Sequence, residues 1–155
     1  MIPIYRAKTI KQDYNEWEEC QELKKIDGVW YAIGFYDCKR EVKTYLGDWE
    51  TTHLILIRKS TAISEVNTAE IIDISTLSIH FSDMLDSQGN KIFASLQEDG
   101  KGGDILEFSS NYFGDYTTVL YFKNHRLITH SKTIKENTIR NKESLSSSKV
   151  IGIQQ

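Results

Sequence analysis

The sequence predicts a mainly β protein. Its 155 residues include 19 Ile, 5 Val, 12 Thr, 8 Tyr and 6 Phe but one Pro, and β-branched and aromatic side chains favour strands. Short apolar runs alternate with turn residues along most of the chain, whereas helical spacing is confined to one segment. We expect an amino-terminal β segment with at most one short helix, packed on a small SH3-like carboxy-terminal barrel.

Two strands are predicted in the amino-terminal half. Residues 52–58 (THLILIR) form a short apolar run bounded by Thr and by Lys-Ser, which is too short for a helix. Residues 28–36 (GVWYAIGFY) form a second run. The pair Asp27-Gly28 introduces it and accepts the positive φ angles of a tight hairpin turn.

Three further segments in the carboxy-terminal half read as strands. Residues 117–130 (TTVLYFKNHRLITH) predict a hairpin with Lys-Asn-His at its turn. Residues 103–108 alternate between polar and apolar after their glycine, and residues 149–153 make a short closing strand. The serine-rich residues 144–148 before it predict an exposed loop.

Residues 13–25 leave two structures open. Asp13 would cap a helix that carries Tyr14, Trp17, Cys20 or Gln21, and Leu23 on one face. Trp17, Leu23 and Ile26 also fit a strand that runs into the Asp27-Gly28 turn. A full helix over 13–25 against one sheet would give an α+β domain, which is the alternative fold.

Length and composition bound the class of protein. A chain of this size forms one domain or a close pair, and the polar stretch 59–68 places a boundary near residue 68, giving regions 1–68 and 71–155. No apolar run approaches the length of a membrane span, and the first residues do not resemble a signal peptide. We expect a cytoplasmic protein without membrane contact.

Charge is distributed unevenly along the chain. Residues 1–120 hold 12 Lys and Arg against 20 Asp and Glu, whereas residues 121–155 hold 7 against 2. A basic segment on an acidic body predicts contact with nucleic acid or with an acidic protein surface. It also predicts a homo-oligomer, in which two copies dock or exchange residues 132–155.

Motifs for catalysis and cofactor binding are not found. The four histidines lack metal-site spacing, and we expect Cys20 and Cys38 to be free, partly buried thiols. The glycines of residues 100–103 are followed by Asp104 and a strand, so we expect a mobile loop and not a phosphate-binding loop. The sequence therefore predicts no catalytic residues, no metal, no cofactor and no enzyme activity. An enzyme site would need His53 or His80 to meet carboxylates from distant positions.

One basic surface is predicted beyond the hairpin. Tyr121 and Phe122 precede its basic residues, and aromatic rings can stack bases while cations pair with phosphates. Only one of these two neighbours can face the surface, because strand side chains alternate. The candidate contacts with nucleic acid or an acidic partner are Lys123, His125, Arg126, Lys132, Lys135, Arg140 and Lys142.

Residues 72–77 (IDISTL), 85–93 (LDSQGNKIF) and 103–108 (GDILEF) together resemble the YopX family of small bacteriophage and prophage proteins. Residues 4–8 (IYRAK) with the following Glu-Trp, and residues 149–152 (KVIG), are similar to the two ends of that family. Members usually run from the Ile-Phe pair almost directly into Gly-Asp-Ile, whereas nine residues (ASLQEDGKG) intervene here.

The resemblance implies a phage or prophage protein in a bacterial cytoplasm, from a family without an established activity. We expect a non-enzymatic accessory protein that binds a host or phage protein. The alternative is weak nucleic-acid binding through the basic surface, and an enzyme is the least expected class.

Overall fold

The computed structural model describes residues 2–42, 47, 49–60, 65–81, 83–110, 114–130, 136–139 and 142–155. Side chains are described for these residues except 40–42, 49–50, 58–60, 65–67, 110, 130, 136–139 and 142–143. In this part of the chain the strands are β1 Ile4–Lys8, β2 Leu23–Ile26, β3 Val29–Val42, β4 Trp49–Ser60, β5 Glu65–Ile71, β6 Ser78–His80, β7 Ala94–Ser95, β8 Asp104–Ser110, β9 Gly114–Lys123, β10 Arg126–His130, β11 Glu136–Ile139 and β12 Lys149–Ile153.

The predicted mainly β class is confirmed. Helical structure in the described residues is limited to three 3₁₀ segments, Glu16–Glu18, Ile74–Thr76 and Lys142–Ser147, and no helix reaches seven residues. The α+β alternative is therefore wrong, because residues 13–25 contain one 3₁₀ turn and then β2. Asn15, not Asp13, precedes that turn, and Glu18 closes it by accepting the backbone N–H of Asn15.

The chain divides into two compact units, an amino-terminal unit Ile4–Ile74 and a carboxy-terminal unit Ser75–Gln155, which also includes the residues before Ile4. Residue 68, near which the sequence places a boundary, lies within β5. The division instead falls in the 3₁₀ segment that follows this strand.

The amino-terminal unit is an antiparallel sheet organised around β3. The first half of β3 pairs with β1 and β2, and its second half pairs with β4, which in turn pairs with β5. Asp27 and Gly28 adopt the predicted positive φ angles of 51° and 79° at the turn between β2 and β3. At Gly34 a side chain is excluded, since a Cβ atom would lie 2.1 Å from the Leu56 carbonyl oxygen.

One face of this sheet is covered by its own connecting segment. The Tyr14 ring packs on the Trp30 ring with centroids 5.1 Å apart, and its hydroxyl donates to the Glu70 carboxylate at 2.6 Å. Burial and this carboxylate both raise the pKa of Tyr14, which keeps the hydroxyl protonated as a donor. The buried apolar residues of the unit are Ala7, Tyr14, Leu23, Trp30, Tyr31, Ala32, Ile55, Ile57 and Ile72.

The carboxy-terminal unit is built on the antiparallel ladder β12, β8, β9, β10, β11. β6 pairs with β7, and β7 meets β9 in parallel at Ser95 and Tyr121. The strands predicted over residues 103–108, 117–130 and 149–153 are confirmed. Closure of this sheet into an SH3-like barrel stays a prediction.

Two expectations about loops in this unit are wrong. In residues 144–148, expected as an exposed loop, Leu145 and Ser148 are fully buried, and the four residues before Ser148 belong to the 3₁₀ segment Lys142–Ser147. The turn at residues 100–103 is closely packed: Gly102 has φ of 83°, and a Cβ atom there would lie 2.0 Å from the Thr76 carbonyl oxygen. Its N–H donates to the carbonyl of Gln154 at 2.8 Å, so this glycine has a structural role.

Candidate interaction surfaces

The part of the predicted basic surface that lies within the described residues is the turn between β9 and β10. Asn124 and His125 form a two-residue turn with φ angles of 51° and 60°, and Lys123 is paired with Arg126 across it. Lys123, His125 and Arg126 are all exposed, so the turn brings these three side chains to one tip. Lys132, Lys135 and Arg140 lie outside the described residues, as does the side chain of Lys142.

Tyr121 and Phe122, of which one was expected to stack bases, both have packing roles in the carboxy-terminal unit. The Phe122 ring contacts the edge of Phe81 with centroids 5.2 Å apart, and lies 6.5 Å from the His125 ring. The Tyr121 ring lies so close to Gly100 that a Cβ atom there would be 2.4 Å from it. Both rings are half-buried, which leaves the tip as a cluster of charges without an open aromatic platform.

A second surface lies on the sheet of the amino-terminal unit and was not predicted. Phe35, Leu56 and Ile71 are 50%, 39% and 51% exposed. Phe35 lies directly opposite Leu56 in the register of β3 and β4, and Leu54 lies directly opposite Ile71 in that of β4 and β5. Side chains two apart on a strand share a face, so these residues are neighbours on one side of the sheet.

Ile10 extends this surface beyond β5. Its N–H donates to the Ile71 carbonyl at 3.0 Å, next to the antiparallel bridge between Thr9 and Ile72. Ile10 therefore lies opposite Ile71 on the same face, and it is 62% exposed. We define the apolar face as Ile10, Phe35, Leu54, Leu56, Ala69 and Ile71.

The outer edge of β5 adjoins the apolar face. The N–H of Ile72 donates to the His53 carbonyl oxygen at 3.0 Å. Because backbone groups alternate in direction along a strand, the N–H and C=O groups of even-numbered β5 residues point toward β4, and those of odd-numbered residues point outward. The outward carbonyl of Ile71 already accepts a hydrogen bond from the N–H of Ile10. Among the described residues, no strand pairs with the outward groups of Asn67 and Ala69.

A sequence signal for the apolar face existed in β4. Leu54, Ile55, Leu56 and Ile57 are apolar without interruption, and an uninterrupted run predicts apolar side chains on both faces of a strand. The structure buries Ile55 and Ile57 and exposes part of Leu56. The run by itself does not indicate which of the two faces stays exposed.

Tyr36, Cys38 and His53 lie together on the opposite face of β3 and β4. The Tyr36 hydroxyl oxygen is 2.7 Å from Nδ1 of His53, and the two rings are nearly parallel. Cys38 lies directly opposite His53 in the register. Cys38 and Cys20 are both free thiols, but Cys38 is exposed, so the expectation of partial burial is wrong for it.

The remaining titratable groups singled out by the sequence are structural. His80 is 2% exposed, and its Nδ1 is 2.9 Å from the Ile92 carbonyl oxygen while its ring packs on Phe93. Burial is the main reason that the pKa of His80 is lowered. Asp104 is fully buried and accepts the N–H of Phe93 at 2.8 Å.

Within the described residues, no group of three or more His, Cys, Asp or Glu side chains is arranged to hold a metal ion. No helix there has the length and apolar character needed to cross a membrane. Comparison with protein-family models, with curated proteins and with solved structures gave no match.

Proposed function

We propose that this protein is a non-enzymatic binding module for a host or phage protein in a bacterial cytoplasm, and that the apolar face is its contact surface. The observation that carries the proposal is the exposure of Phe35, Leu56 and Ile71 on three consecutive strands. Contiguous exposed apolar side chains on a soluble unit are typical of protein interaction sites.

Burial of the exposed apolar side chains alone does not provide the binding free energy of a stable complex. Fully burying a Leu, Ile or Phe side chain contributes about 1.5–3 kcal/mol, so the half-exposed Phe35, Leu56 and Ile71 together contribute about 2–5 kcal/mol. A micromolar complex needs about 8 kcal/mol. The partner must therefore make further contacts, and the adjacent edge of β5 offers them.

The edge determines the form of the partner segment. An extended segment that pairs with Asn67 and Ala69 would continue the sheet, and its alternate side chains would continue the apolar face. Such strand addition supplies main-chain hydrogen bonds, while the apolar side chains supply selectivity. We therefore propose that the partner contributes an extended segment with apolar residues at every second position.

Site-specific cross-linking tests this proposal in lysates of a bacterial host. A photoreactive amino acid at Phe35 should capture a defined protein, and the same amino acid at the exposed β2 residue Lys24 should not. The capture should be lost in Leu56→Glu and kept in Thr51→Glu, an exposed position of β4 on the other face. Equal capture from positions 35 and 24, or capture unaffected by Leu56→Glu, would reject the apolar face as the contact surface.

A second candidate function is weak nucleic-acid binding at the β9–β10 turn. It is supported by the shared exposure of Lys123, His125 and Arg126. Two permanent cations give a salt dependence of at most about −2 in log K against log salt for a duplex. Titration of a labelled duplex at about 50 and 200 mM salt should show this slope, and a labelled single strand should show at most about −1.4.

The matched variants for this titration carry the same charge change. Lys123→Glu combined with Arg126→Glu should abolish binding, while Lys24→Glu combined with Lys25→Glu, both on exposed positions of β2, should not. Absence of binding at the lower salt removes the candidate. Equal losses in the two double variants would show a non-specific effect of net charge.

A further inference from the structure

The end of β5 is paired with the residues that follow β1. Thr9 and Ile72 form an antiparallel bridge, and the N–H of Ile10 donates to the Ile71 carbonyl at 3.0 Å. The strand that begins with β1 therefore runs along the outer edge of β5 as far as Ile10. A segment added beside the rest of β5 would continue this line.

The side chain of Gln12 takes the chain away from that line. Its amide oxygen accepts the N–H of Trp30 at 2.9 Å, and its amide nitrogen donates to the Trp30 carbonyl at 3.1 Å. The residues that follow cover the buried face of the sheet, where Tyr14 packs on the Trp30 ring. Within the described residues no strand takes the vacated place beside Asn67 and Ala69, so another segment can pair with their outward N–H and C=O groups.

A carboxylate lies on the side of β5 opposite the apolar face. Glu70 is half-buried and lies directly opposite Ile55, and its Oε2 accepts the Tyr14 hydroxyl at 2.6 Å. Its Oε1 has no hydrogen-bond partner among the described residues. Glu18 raises the pKa of Tyr14 in the same direction as Glu70, while Lys11 places its ammonium 4.7 Å from the Tyr14 ring centre. Two carboxylates against one ammonium make this side of the edge negative.

Strand geometry determines which residue of an added segment meets the Glu70 carboxylate. A segment that bonds to the outward groups of Ala69 faces Glu70 in a non-hydrogen-bonded pair, in which cross-strand side chains are closest. Because side chains alternate, the residue facing Glu70 lies on the side of the carboxylate, and the next residue lies on the apolar face. In an antiparallel segment, which has the direction of residues 8–10, the position facing Glu70 comes first, beside Ile10.

We propose that the segment bound at this edge is cationic as well as apolar: it runs antiparallel to β5, with Lys or Arg opposite Glu70 and apolar residues opposite Ala69 and Asn67. This inference rests on the proposed function and adds the charge and direction of the partner segment. Opposite charges directly across a strand pair stabilise it and like charges destabilise it. The edge therefore also discriminates against acidic segments.

Synthetic peptides with isoleucine at alternate positions test the charge. The position predicted to face Glu70 carries Lys, Ser or Glu in three otherwise identical peptides. Fluorescence anisotropy of the labelled peptides with the full chain should show that the Lys peptide binds about 2- to 5-fold more tightly than the Ser peptide, and the Glu peptide most weakly. Lysine moved to the last position should give no gain, because the segment is antiparallel. Methylation of the backbone nitrogens that face β5 should abolish binding.

Substitutions assign the preference to Glu70. Glu70→Gln keeps an acceptor for the Tyr14 hydroxyl and should remove the preference for the Lys peptide over the Ser peptide. Glu70→Lys should make the Glu peptide bind most tightly. The matched control is Glu107→Gln, at an exposed position of β8, which should leave the order unchanged. Circular dichroism confirms folding, and Glu70→Gln decides the result if Glu70→Lys does not fold.

The outcomes separate this inference from the proposed function. Absence of binding by every peptide up to about 1 mM, or binding unaffected by Leu56→Glu, would overturn both. Equal affinities of the Lys, Ser and Glu peptides, all lost in Leu56→Glu, would overturn the cationic segment and retain the apolar face. A Lys preference that survives Glu70→Gln would also overturn it, and an equal gain from lysine at either end would reject the antiparallel direction.

Discussion

The Asp86 carboxylate accepts a hydrogen bond from the backbone N–H of Val150, with a nitrogen to oxygen distance of 3.2 Å. It also accepts the backbone N–H groups of Gln88 and Asn90 at 2.9 and 2.8 Å. One buried side chain thus closes the turn at residues 86–90 and joins it to β12. Burial opposes the charge of this carboxylate, but the hydrogen bonds outweigh burial and lower the pKa of Asp86.

Asp86→Ala should lower the free energy of unfolding by about 2–3 kcal/mol, because it removes the charged acceptor of three backbone N–H groups. The contribution of the charge is fully present above the unfolded pKa of 3.8 and is lost as the pH falls through the lower folded pKa. Denaturant unfolding of wild type and Asp86→Asn should therefore show a stability difference that shrinks below about pH 4. A difference that stays constant to about pH 3 contradicts this account.

His80 predicts a separate pH dependence near neutrality. Its folded pKa lies below the unfolded value of 6.5, chiefly through burial and also through Lys91, while the Ile92 carbonyl, Asp104 and Asp83 act in the opposite direction. The unfolded chain therefore takes up the proton first, and stability falls as the pH drops from 6.5 toward the folded pKa.

His80→Gln should flatten this part of the stability curve, because glutamine does not titrate. The exposed turn residue gives the matched control, so His125→Gln should leave the slope unchanged. Thermal unfolding of the three proteins in steps between about pH 5 and 7.5 measures the effect. An equal slope in wild type and His80→Gln would show that another group is responsible.

Strands were predictable where the signal is local. The uninterrupted run in β4 and the Asp27-Gly28 turn before β3 are properties of neighbouring residues, and both predictions are confirmed. Residues 144–148 failed because their burial depends on distant partners: the carbonyl of Ser148 accepts the N–H of Ser87, 61 residues earlier. Serine content alone does not reveal such docking.

In the candidate surfaces too, only features set by neighbouring residues were predictable from the sequence. The tip at Lys123 and Arg126 was predictable because a two-residue turn places its flanking residues together. The neighbourhood of Cys38 and His53 depends on the register of β3 with β4, which the sequence does not specify. The apolar run in β4 indicates two apolar faces but not which one stays exposed.

The glycine turn at residues 100–103 predicts a large difference between two substitutions. Gly89 and Gly102 both have positive φ, but a Cβ atom at Gly89 meets open space, whereas at Gly102 it would meet the Thr76 backbone. Gly89→Ala should cost about 1–2 kcal/mol for the left-handed conformation. Gly102→Ala should cost about 1–3 kcal/mol more, because the backbone must also shift. Similar losses in denaturant unfolding would show that the turn is not closely packed.

Neighbouring residues of β4 test which side of the sheet is the core. Ile55 is fully buried, and Ile55→Ala should lower the free energy of unfolding by about 2–5 kcal/mol through lost burial and a cavity. Leu56 lies on the apolar face, and Leu56→Ala should stay within about 1 kcal/mol of wild type. Urea unfolding of both variants at one pH measures this contrast.

The result also bears on the proposed contact surface. If Leu56→Ala destabilises the isolated protein as much as Ile55→Ala does, Leu56 is part of the core and cannot be held free for a partner. If the contrast holds, the side chain at position 56 contributes little to folding, and loss of partner capture by Leu56→Glu can be attributed to the surface itself. The difference in free energy of unfolding between wild type and Thr51→Glu gives the size of change expected for a substitution at an exposed strand position.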